Sequence, residues 1–359
     1  LYVVESMMTL TGGQADHRAA VKPSRVGAVA AAIAAATLRK LGSTQAGAVE
    51  RTAASLGGDD LPEAKWIDAV AEDLAAAGNR GASAVIVGPS QPAAVHALAC
   101  MLNSALGNIG TTVRYTPVKG DAAQSSVASI RALADDISRG GVDTLVTIGC
   151  NPVYDAPSDL KFADKYATIR HSIHLGWPSE TGVASKTRLA RSHYLESWSD
   201  VESWDGSYTV VQPQIEPLFP SNNEIALLSI ILGEKETDPY AQVRETVRGR
   251  VGATGAFERV WRRTLHDGLL PANAMADGGV RVNEGAVAAA LADAASSMGA
   301  SDELEVLFLP SPHMHDGRWA NNGWLQEMPH PVTKVSWDNP ALISPATAHK
   351  LGISTNRHP

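Results

Sequence analysis

The stretch Leu145-Val-Thr-Ile-Gly-Cys-Asn-Pro-Val-Tyr-Asp155 decides the fold that we expect for this chain. Its first four residues are apolar or β-branched, which is typical of a strand buried on both faces of a parallel sheet. Gly149 ends this strand, and Pro152 fixes a turn just beyond its carboxyl end. Because open α/β sheets bind ligands at the carboxyl ends of their strands, the sequence places residues 149–155 at a candidate binding edge.

The same alternation of strand and helix surrounds this stretch. A buried strand is predicted at 84–87 and further strands at 112–116 and 169–175, with helices at 92–106 and 127–140 between them. Units of this kind imply right-handed crossovers and a mostly parallel sheet, so the fold class is α/β. Outside these units, the patterns predict helices at 26–41, 62–77, 223–232, 257–266 and 284–298, strands at 1–5, 210–212, 304–309 and 334–337, and a charged surface segment at 234–252.

Composition limits the classes of protein that this chain can belong to. A length of 359 residues suggests two domains or one elaborated α/β unit, and 44% hydrophobic with 19% charged residues is globular. A net charge of −8 argues against a nucleic-acid partner or an anionic membrane surface. The two cysteines, Cys100 and Cys150, are too few for an iron–sulfur cluster or a cysteine-rich zinc site.

Familiar signatures of chemistry are missing from the sequence. No G-x-G-x-x-G follows a predicted strand, no phosphate-binding G-x-x-x-x-G-K-[ST] occurs, and there is no G-x-S-x-G nucleophile elbow. Ordinary NAD or ATP binding and serine-hydrolase chemistry are therefore not indicated. By residues alone, the chain is an α/β protein without an evident active site.

Three polar groupings could carry chemistry but favour structural roles. His313 and His315 would point the same way in a strand, yet the sequence places no third metal ligand beside them. His171 and His174 are expected to be packed or exposed to solvent. An acidic cluster in a predicted loop is expected to be solvated or to cap backbone groups; its members are Glu196, Asp200, Glu202 and Asp205.

Several segments in combination carry a resemblance to a known family. The chain resembles the molybdopterin oxidoreductase superfamily, and more closely the large iron–sulfur subunit of bacterial alternative complex III, a quinol-oxidising respiratory complex. The likeness covers nearly the whole chain. The segments that carry it are 145–155, His193-Tyr-Leu-Glu-Ser-Trp198, Asp205-Gly-Ser-Tyr-Thr-Val-Val-Gln-Pro213, Asp316-Gly-Arg-Trp-Ala-Asn-Asn-Gly-Trp-Leu-Gln-Glu327 and Pro331-Val-Thr-Lys-Val-Ser-Trp-Asp-Asn339.

The resemblance implies a fold and a set of site residues. The superfamily has a G-x-N-P turn that helps to seat a molybdopterin guanine dinucleotide, and Gly149, Asn151 and Pro152 match it, with Cys150 in the variable place. The implied fold is a pair of Rossmann-like domains with mostly parallel sheets, one inserted in the other. We therefore expect an inserted domain at 61–233, a discontinuous one at 1–60 with 234–345, and the start of a truncated further domain at 346–359.

Departures from the family change the functional expectation. Catalytic relatives have an upstream cluster-binding segment and a Cys, selenocysteine or Ser ligand to molybdenum, whereas this sequence begins after the first and has no Cys where the second is expected. The complex III-like subunits are understood to lack the molybdenum cofactor and to use this region as a scaffold. We therefore expect no cofactor in this chain and a vestigial dinucleotide turn at residues 149–152.

The resemblance also implies partners and a location. The expected partners are a ferredoxin-like iron–sulfur portion of the same polypeptide, a quinol-oxidising membrane subunit and a cytochrome subunit, on the periplasmic side of the inner membrane after Tat-type export. An exposed apolar patch around Trp319 and Trp324 is expected to form part of the docking surface. Two alternatives stay open: a catalytic molybdenum oxidoreductase module that still binds the dinucleotide, and a stand-alone small-ligand binding protein.

Overall fold

The computed structural model describes residues 1–58, 61–116, 126–203, 205–252, 256–270, 281–298 and 303–353. Within these ranges the chain is a mixed α/β protein with 45% helix and small parallel sheets, which confirms the coarse α/β expectation. The strands are β1 (Tyr2–Glu5), β2 (His17–Ala20), β3 (Thr144–Ile148), β4 (His171–Gly176), β5 (Thr187–Ala190), β6 (Ser199–Glu202) and β7 (Tyr208–Val211).

The seven helices predicted in the sequence analysis are confirmed, because their apolar positions recur at helical spacing, and the structure contains further helices that were not predicted. The α-helices are α1 (Leu10–Gly13), α2 (Val26–Lys40), α3 (Ala46–Ser55), α4 (Ala64–Ala75), α5 (Ala93–Ala105), α6 (Ser126–Ser138), α7 (Pro152–Asp155), α8 (Phe162–Ala167), α9 (Glu180–Ala184), α10 (Glu224–Leu232), α11 (Pro239–Val251), α12 (Phe257–Asp267), α13 (Glu284–Ala294), α14 (Gly323–Glu327) and α15 (Pro345–Lys350). Short 3-10 turns occupy Pro23–Arg25, Ser158–Leu160 and Ala295–Met298.

The strands form three small sheets. β1 pairs with β2 in parallel, and β6 pairs with β7 as an antiparallel hairpin. The sheet that positions the candidate site is parallel and has the order β3-β4-β5, with Val146 opposite Ile173 and Ile173 opposite Thr187. The carboxyl ends of these three strands therefore meet at one edge, where Gly149 follows β3.

The largest core lies among α2, α3, α5 and α13. Alanine dominates the buried face of α2, and this small side chain lets the helices approach closely, while Leu38, Leu98 and Leu291 fill the spaces between them. One charged side chain enters this core: Arg25 is fully buried and donates from Nη1 to the Met298 carbonyl (3.0 Å) and from Nη2 to the Leu56 carbonyl (2.6 Å). Arg25 thus ties the end of α3 to the turn that follows α13.

Two smaller cores support the sheets. One joins β7 to α11 and α12 through Val247 and Trp261, and the other joins α6 to α8 through Ile137 and Tyr166. The segment 234–252, expected only as a charged surface, is largely α11. This helix has an apolar stripe as well as its charged residues. Val243 and Val247, four residues apart, lie on the same face and are both buried.

Two of the predicted strands in the first half of the chain are wrong. Residues 84–87 join no sheet among the described residues, and the side chain of Asn103 hydrogen-bonds both the backbone amide and the backbone carbonyl of Val85. Residues 112–116 form no strand either. The amides of Thr112 and Val113 both donate to the Asn108 carbonyl, and this geometry belongs to a tight turn.

The two strands predicted near the carboxyl end of the chain are also wrong. Residues 304–309, expected to be buried, are exposed and unpaired in the described part of the chain, with Phe308 93% exposed. Residues 334–337 cannot be a regular strand, since Lys334 (φ 63°) and Trp337 (φ 62°) are left-handed. Of the further domain expected at 346–359, the structure describes residues 346–353, which include most of α15, and residues 354–359 lie outside the described ranges.

The central strand is correctly placed but less buried than expected. In β3 only Thr147 is buried, whereas Leu145 and Val146 are partly covered. The reason is position: β3 is an outer strand of its sheet among the described residues, so it has a strand neighbour on one side only. The arrangement of two domains, one inserted in the other, stays a prediction.

Candidate functional site

The turn after β3 lies at the carboxyl edge of the three-stranded sheet, as the sequence predicted. Gly149 has a left-handed backbone (φ 64°), and its amide donates to the Leu175 carbonyl of β4 (2.9 Å). Pro152 begins the single-turn helix α7, where its fixed φ suits the first helical position. Cys150, between them, is exposed. The three predicted site residues are thus close together, and each has a defined local role.

Asn151 joins the turn after β3 to the helix after β4. Its Oδ1 accepts from the Thr181 amide (3.0 Å) and from the Thr181 hydroxyl (2.8 Å), and its Nδ2 donates to Glu180 Oε2 (2.7 Å). The hydrogen bond from Asn151 lowers the pKa of Glu180 below its usual value. Both lone pairs of Oδ1 and one of the two amide hydrogens are therefore used within the chain.

Arg191, which follows β5, lies directly against Gly149. A Cβ added at Gly149 would be 2.7 Å from Arg191 Nη1, so only glycine allows this approach. The guanidinium is held by Glu224 at the start of α10, with Nη2 to Oε1 at 2.8 Å and Nε to Oε2 at 3.4 Å. Burial opposes ionisation of Glu224, but the Arg191 hydrogen bond, a backbone hydrogen bond and the positive charge of Arg191 together outweigh it and lower the Glu224 pKa.

The buried side chain of His174 connects the strands of this sheet to the helix that follows β4. His174 Nδ1 lies 2.9 Å from the Thr147 hydroxyl of β3, and Nε2 lies 3.2 Å from the hydroxyl of Ser179. Ser179 also accepts from the Gly182 amide (3.1 Å) and so caps α9. Burial lowers the pKa of His174, which favours the neutral imidazole. The network connects β3, β4 and α9.

The outer rim of the edge is charged. Arg318 donates two hydrogen bonds to Asp316, from Nε to Oδ1 (2.9 Å) and from Nη2 to Oδ2 (2.7 Å). This pairing lowers the pKa of Asp316. Partial desolvation and then repulsion from Asp316 raise the pKa of Asp155. The segment around residue 317 also approaches α7, since a Cβ at Gly317 would lie 3.1 Å from the Tyr154 hydroxyl oxygen.

Aromatic rings line the other side of the rim. Trp177 follows β4 and stacks on His193, with ring centroids 5.8 Å apart, and it meets Trp319 at 6.3 Å with a tilt of 51°. Trp319 is 40% exposed, so this contact covers it only in part. Trp324, its companion in the expected docking surface, is 84% exposed. The role of this pair in docking stays a prediction.

The turn as it stands does not fit a bound dinucleotide well. The polar groups of Asn151 bind α9, the Gly149 amide binds β4, and the Arg191 guanidinium covers the Gly149 backbone. A phosphate or a base edge would have to displace these partners to reach the turn. The turn therefore connects the ends of three strands through its own hydrogen bonds and through its contact with Arg191.

The other polar groupings behave mostly as structural elements. Within the described ranges, no three side chains of His, Cys, Asp or Glu come together as a metal site. His171 is exposed, whereas His174 belongs to the network under the edge. In the acidic cluster, Glu196 accepts from the His193 and Leu218 amides, which confirms the capping role. Asp200 and Glu202 were expected in a loop, but they lie on β6.

Several residues of the edge escaped prediction. Arg191 and Glu224 were missed because β5 is short and half polar, so its end was not recognised as part of the sheet. Thr181 and Glu180 were missed because their importance depends on Asn151, 30 and 29 residues away. The sequence carries one usable signal: Ser179 caps a short helix whose first residue is Glu180, and this pair is typical of a helix amino terminus.

Comparison with known proteins does not add a family. No model of a known protein family matches the chain, and no curated protein matches it. The helices of the described residues also include none with the length and apolar character needed to cross a bilayer.

Proposed function

We propose that this chain is the molybdopterin-oxidoreductase-like scaffold region of a respiratory quinol-oxidising complex, built as two Rossmann-like domains and without a redox centre of its own. In this proposal it lies on the periplasmic side of the inner membrane after Tat-type export. It holds a ferredoxin-like iron–sulfur portion of the same polypeptide against a quinol-oxidising membrane subunit and a cytochrome subunit. Electrons pass through those partners and not through this region.

The observation that supports the proposal is that the polar groups of the G-x-N-P turn are hydrogen-bonded to other parts of the same chain. Asn151 forms three hydrogen bonds with residues of α9. A hydrogen bond to Glu224 holds the Arg191 side chain against Gly149. A turn that seats a ligand must present its backbone and amide groups outward. Here the same groups join β3, β4 and β5, which supports a turn retained for its structural value.

The competing function is a catalytic molybdopterin-dependent oxidoreductase module. It is favoured by the position of the turn, which follows the first of three parallel strands at their carboxyl edge, where α/β proteins bind ligands. The aromatic rim of Trp177 and Trp319 beside it would also suit a flat ring system. This alternative requires Arg191 and Asn151 to exchange their partners on binding.

Metal and pterin content separate the two functions. The full-length polypeptide is purified from its native host, molybdenum is measured by mass spectrometry, and pterin is measured by fluorescence after oxidative release. The scaffold proposal expects both to be far below one equivalent. One equivalent of molybdenum per polypeptide would overturn it.

A variant of the turn gives a second test of the same question. Asn151→Ala should lower stability by about 1–2 kcal/mol, because the buried Thr181 amide and hydroxyl lose their acceptor, and it should leave the pterin content at background. Asn339→Ala, at an exposed site, is the matched control and should change neither quantity. A loss of bound pterin caused by Asn151→Ala alone would favour the catalytic module.

A further inference from the structure

His174 is a buried titratable side chain on β4, the middle strand of the three-stranded sheet. Its residue is only 3% exposed, and its ring packs directly against two glycines. A Cβ at Gly176 would lie 2.2 Å from His174 Nε2, and a Cβ at Gly182 would lie 3.2 Å from Cδ2. A proton on this ring therefore brings a positive charge into a site with little access to water, which is unfavourable unless an opposite charge is close.

The charged groups on the elements around His174 are bonded elsewhere in the described structure. β3, on one side, contains no charged residue. β5, on the other side, carries Arg188, whose Nη2 donates to the Val183 carbonyl of α9 (3.0 Å). α9 begins with Glu180, and its Oε2 accepts from Asn151 Nδ2 (2.7 Å). A protonated His174 would thus add an uncompensated charge to this network.

The hydrogen bonds around the ring fit the neutral imidazole. Thr147 Oγ1 uses its single hydrogen to donate to the Ile173 carbonyl (3.3 Å), so it accepts from His174 Nδ1 (2.9 Å). Ser179 Oγ accepts from the Gly182 amide (3.1 Å) and keeps its own hydrogen to donate to Nε2 (3.2 Å). A second ring proton would bind at Nε2 and face that hydrogen. The hydrogen bond from Ser179 to the ring would then be lost.

The amino terminus of α9 depends on this hydroxyl. Ser179 is the cap of α9, and a helix of five residues has few internal hydrogen bonds to hold it without a cap. The first two residues of α9, Glu180 and Thr181, are also the partners that hold the Asn151 side chain. His174 therefore supports the G-x-N-P turn, residues 149–152, through Ser179 and α9.

We propose that His174 is a proton-sensitive switch of this edge: its protonation removes the Ser179 cap from α9, and the opened helix releases Asn151. Burial lowers the pKa of His174 below its ordinary value of 6.5, and a hydrogen bond to the Trp177 backbone opposes this only in part. The closed edge is therefore favoured above that pH, and it becomes less stable as the pH falls below it. The inference does not depend on which of the functions above is correct, since it uses this network alone.

Hydrogen exchange at two pH values tests the switch. The amides of Thr181 and Gly182, both hydrogen-bonded at the start of α9, are followed at pH 7 and at pH 5, and each rate is divided by that of an unstructured peptide at the same pH. Their protection should fall about 5- to 30-fold at the lower pH, because the opened ring binds a proton more readily than the closed one. The Leu106 amide, in the helical core, should keep its protection. Unchanged protection at Thr181 and Gly182 would overturn the proposal, and so would an equal fall at Leu106.

Two histidine variants identify the group that binds the proton. His174→Gln cannot be protonated in this range but keeps a donor and an acceptor, so the protection of Thr181 and Gly182 should agree within about twofold at the two pH values. His171→Gln, at the exposed first residue of the same strand, is the matched control and should show the full fall. A full fall in His174→Gln would assign the effect to another group and refute the switch.

An NMR titration of the unaltered protein needs no variant. The Cε1 hydrogen of His174 should titrate with a midpoint below 6.5, and the amide signals of Thr181 and Gly182 should shift with the same midpoint. A His174 midpoint at or above 6.5 would contradict the proposal. Amide signals that shift with a different midpoint, or not at all, would contradict it equally, since the ring would then titrate without opening α9.

Discussion

The side chain of Asn103 binds both backbone polar groups of Val85. Asn103 Oδ1 accepts from the Val85 amide (2.9 Å), and Asn103 Nδ2 donates to the Val85 carbonyl (2.8 Å). An amide side chain has the same donor and acceptor as a peptide group, so a residue of α5 pairs with Val85 as a residue of a neighbouring strand would. Asn108 completes the arrangement by donating from Nδ2 to Asn103 Oδ1 (3.1 Å).

Removing the Asn103 amide should destabilise the protein. Asn103→Leu keeps the volume but leaves the Val85 amide and carbonyl without partners, and we expect a loss of about 2–4 kcal/mol in the free energy of unfolding. Urea unfolding monitored by circular dichroism provides the measurement. Asn339→Leu, at an exposed position, is the control and should change the midpoint little. Equal midpoints for the two variants would show that Asn103 does not hold this stretch.

The buried Arg25 should be one of the most sensitive positions of the helical core. Arg25→Met keeps most of the apolar stem but removes the donors to the Met298 and Leu56 carbonyls, so about 2–4 kcal/mol should be lost. The thermal midpoint, measured by calorimetry, should fall accordingly. Arg51→Met, on the exposed side of α3, is the matched control. A midpoint in Arg25→Met as high as in the control would contradict this role.

The contact between Gly149 and Arg191 can be isolated with two glycines. Gly149 and Gly140 both have left-handed backbones (φ 64° and 72°), but a Cβ at Gly140 meets nothing within 4 Å. Gly140→Ala should cost about 1 kcal/mol of backbone strain, and Gly149→Ala about 1 kcal/mol more, because Arg191 must leave Glu224. In an Arg191→Ala background the two costs should become equal. An extra cost that persists in that background would have another source.

The ion pair between Arg191 and Glu224 should make stability depend on pH on the acid side. The folded-state pKa of Glu224 lies below its ordinary value of 4.5, so the pair stabilises the fold above that pH and its contribution disappears as the pH falls through the lowered pKa. Glu224→Gln should cost about 1 kcal/mol at pH 7, since both side chains are about a third exposed.

Urea unfolding at a series of pH values checks this dependence. The difference between the parent protein and Glu224→Gln should shrink steadily below pH 4.5. Glu216→Gln, at an exposed position, should show a small difference at every pH. A Glu224→Gln effect that is constant down to acid pH would rule out the ion pair as its cause.

Elements that depend on local pattern could be predicted from the sequence. The spacing of apolar residues in α2, α5 and α12 is sufficient to define a helix, and the run that becomes β3 is followed by the glycine and proline that end it. The position of Gly149, Asn151 and Pro152 at the carboxyl edge of a parallel sheet also followed from this pattern. These features need only short-range chemistry.

Elements that depend on a distant partner could not be predicted. Residues 84–87 and 304–309 have the composition of strands, yet the first is bound by Asn103 and the second has no neighbouring strand among the described residues. Arg191 and Glu224 could not be assigned to the site either, because 33 residues separate them and only the fold brings them to Gly149.

The sequence by itself therefore determined where most helices form, where β3 ends and which residues make its turn. The tertiary structure alone decided what those residues do there: whether the Asn151 amide faces outward or binds α9, and whether an apolar run is covered or exposed. The physical reason is that propensity and turn chemistry act over a few residues, whereas hydrogen-bond partners and burial are set by segments far apart in the chain.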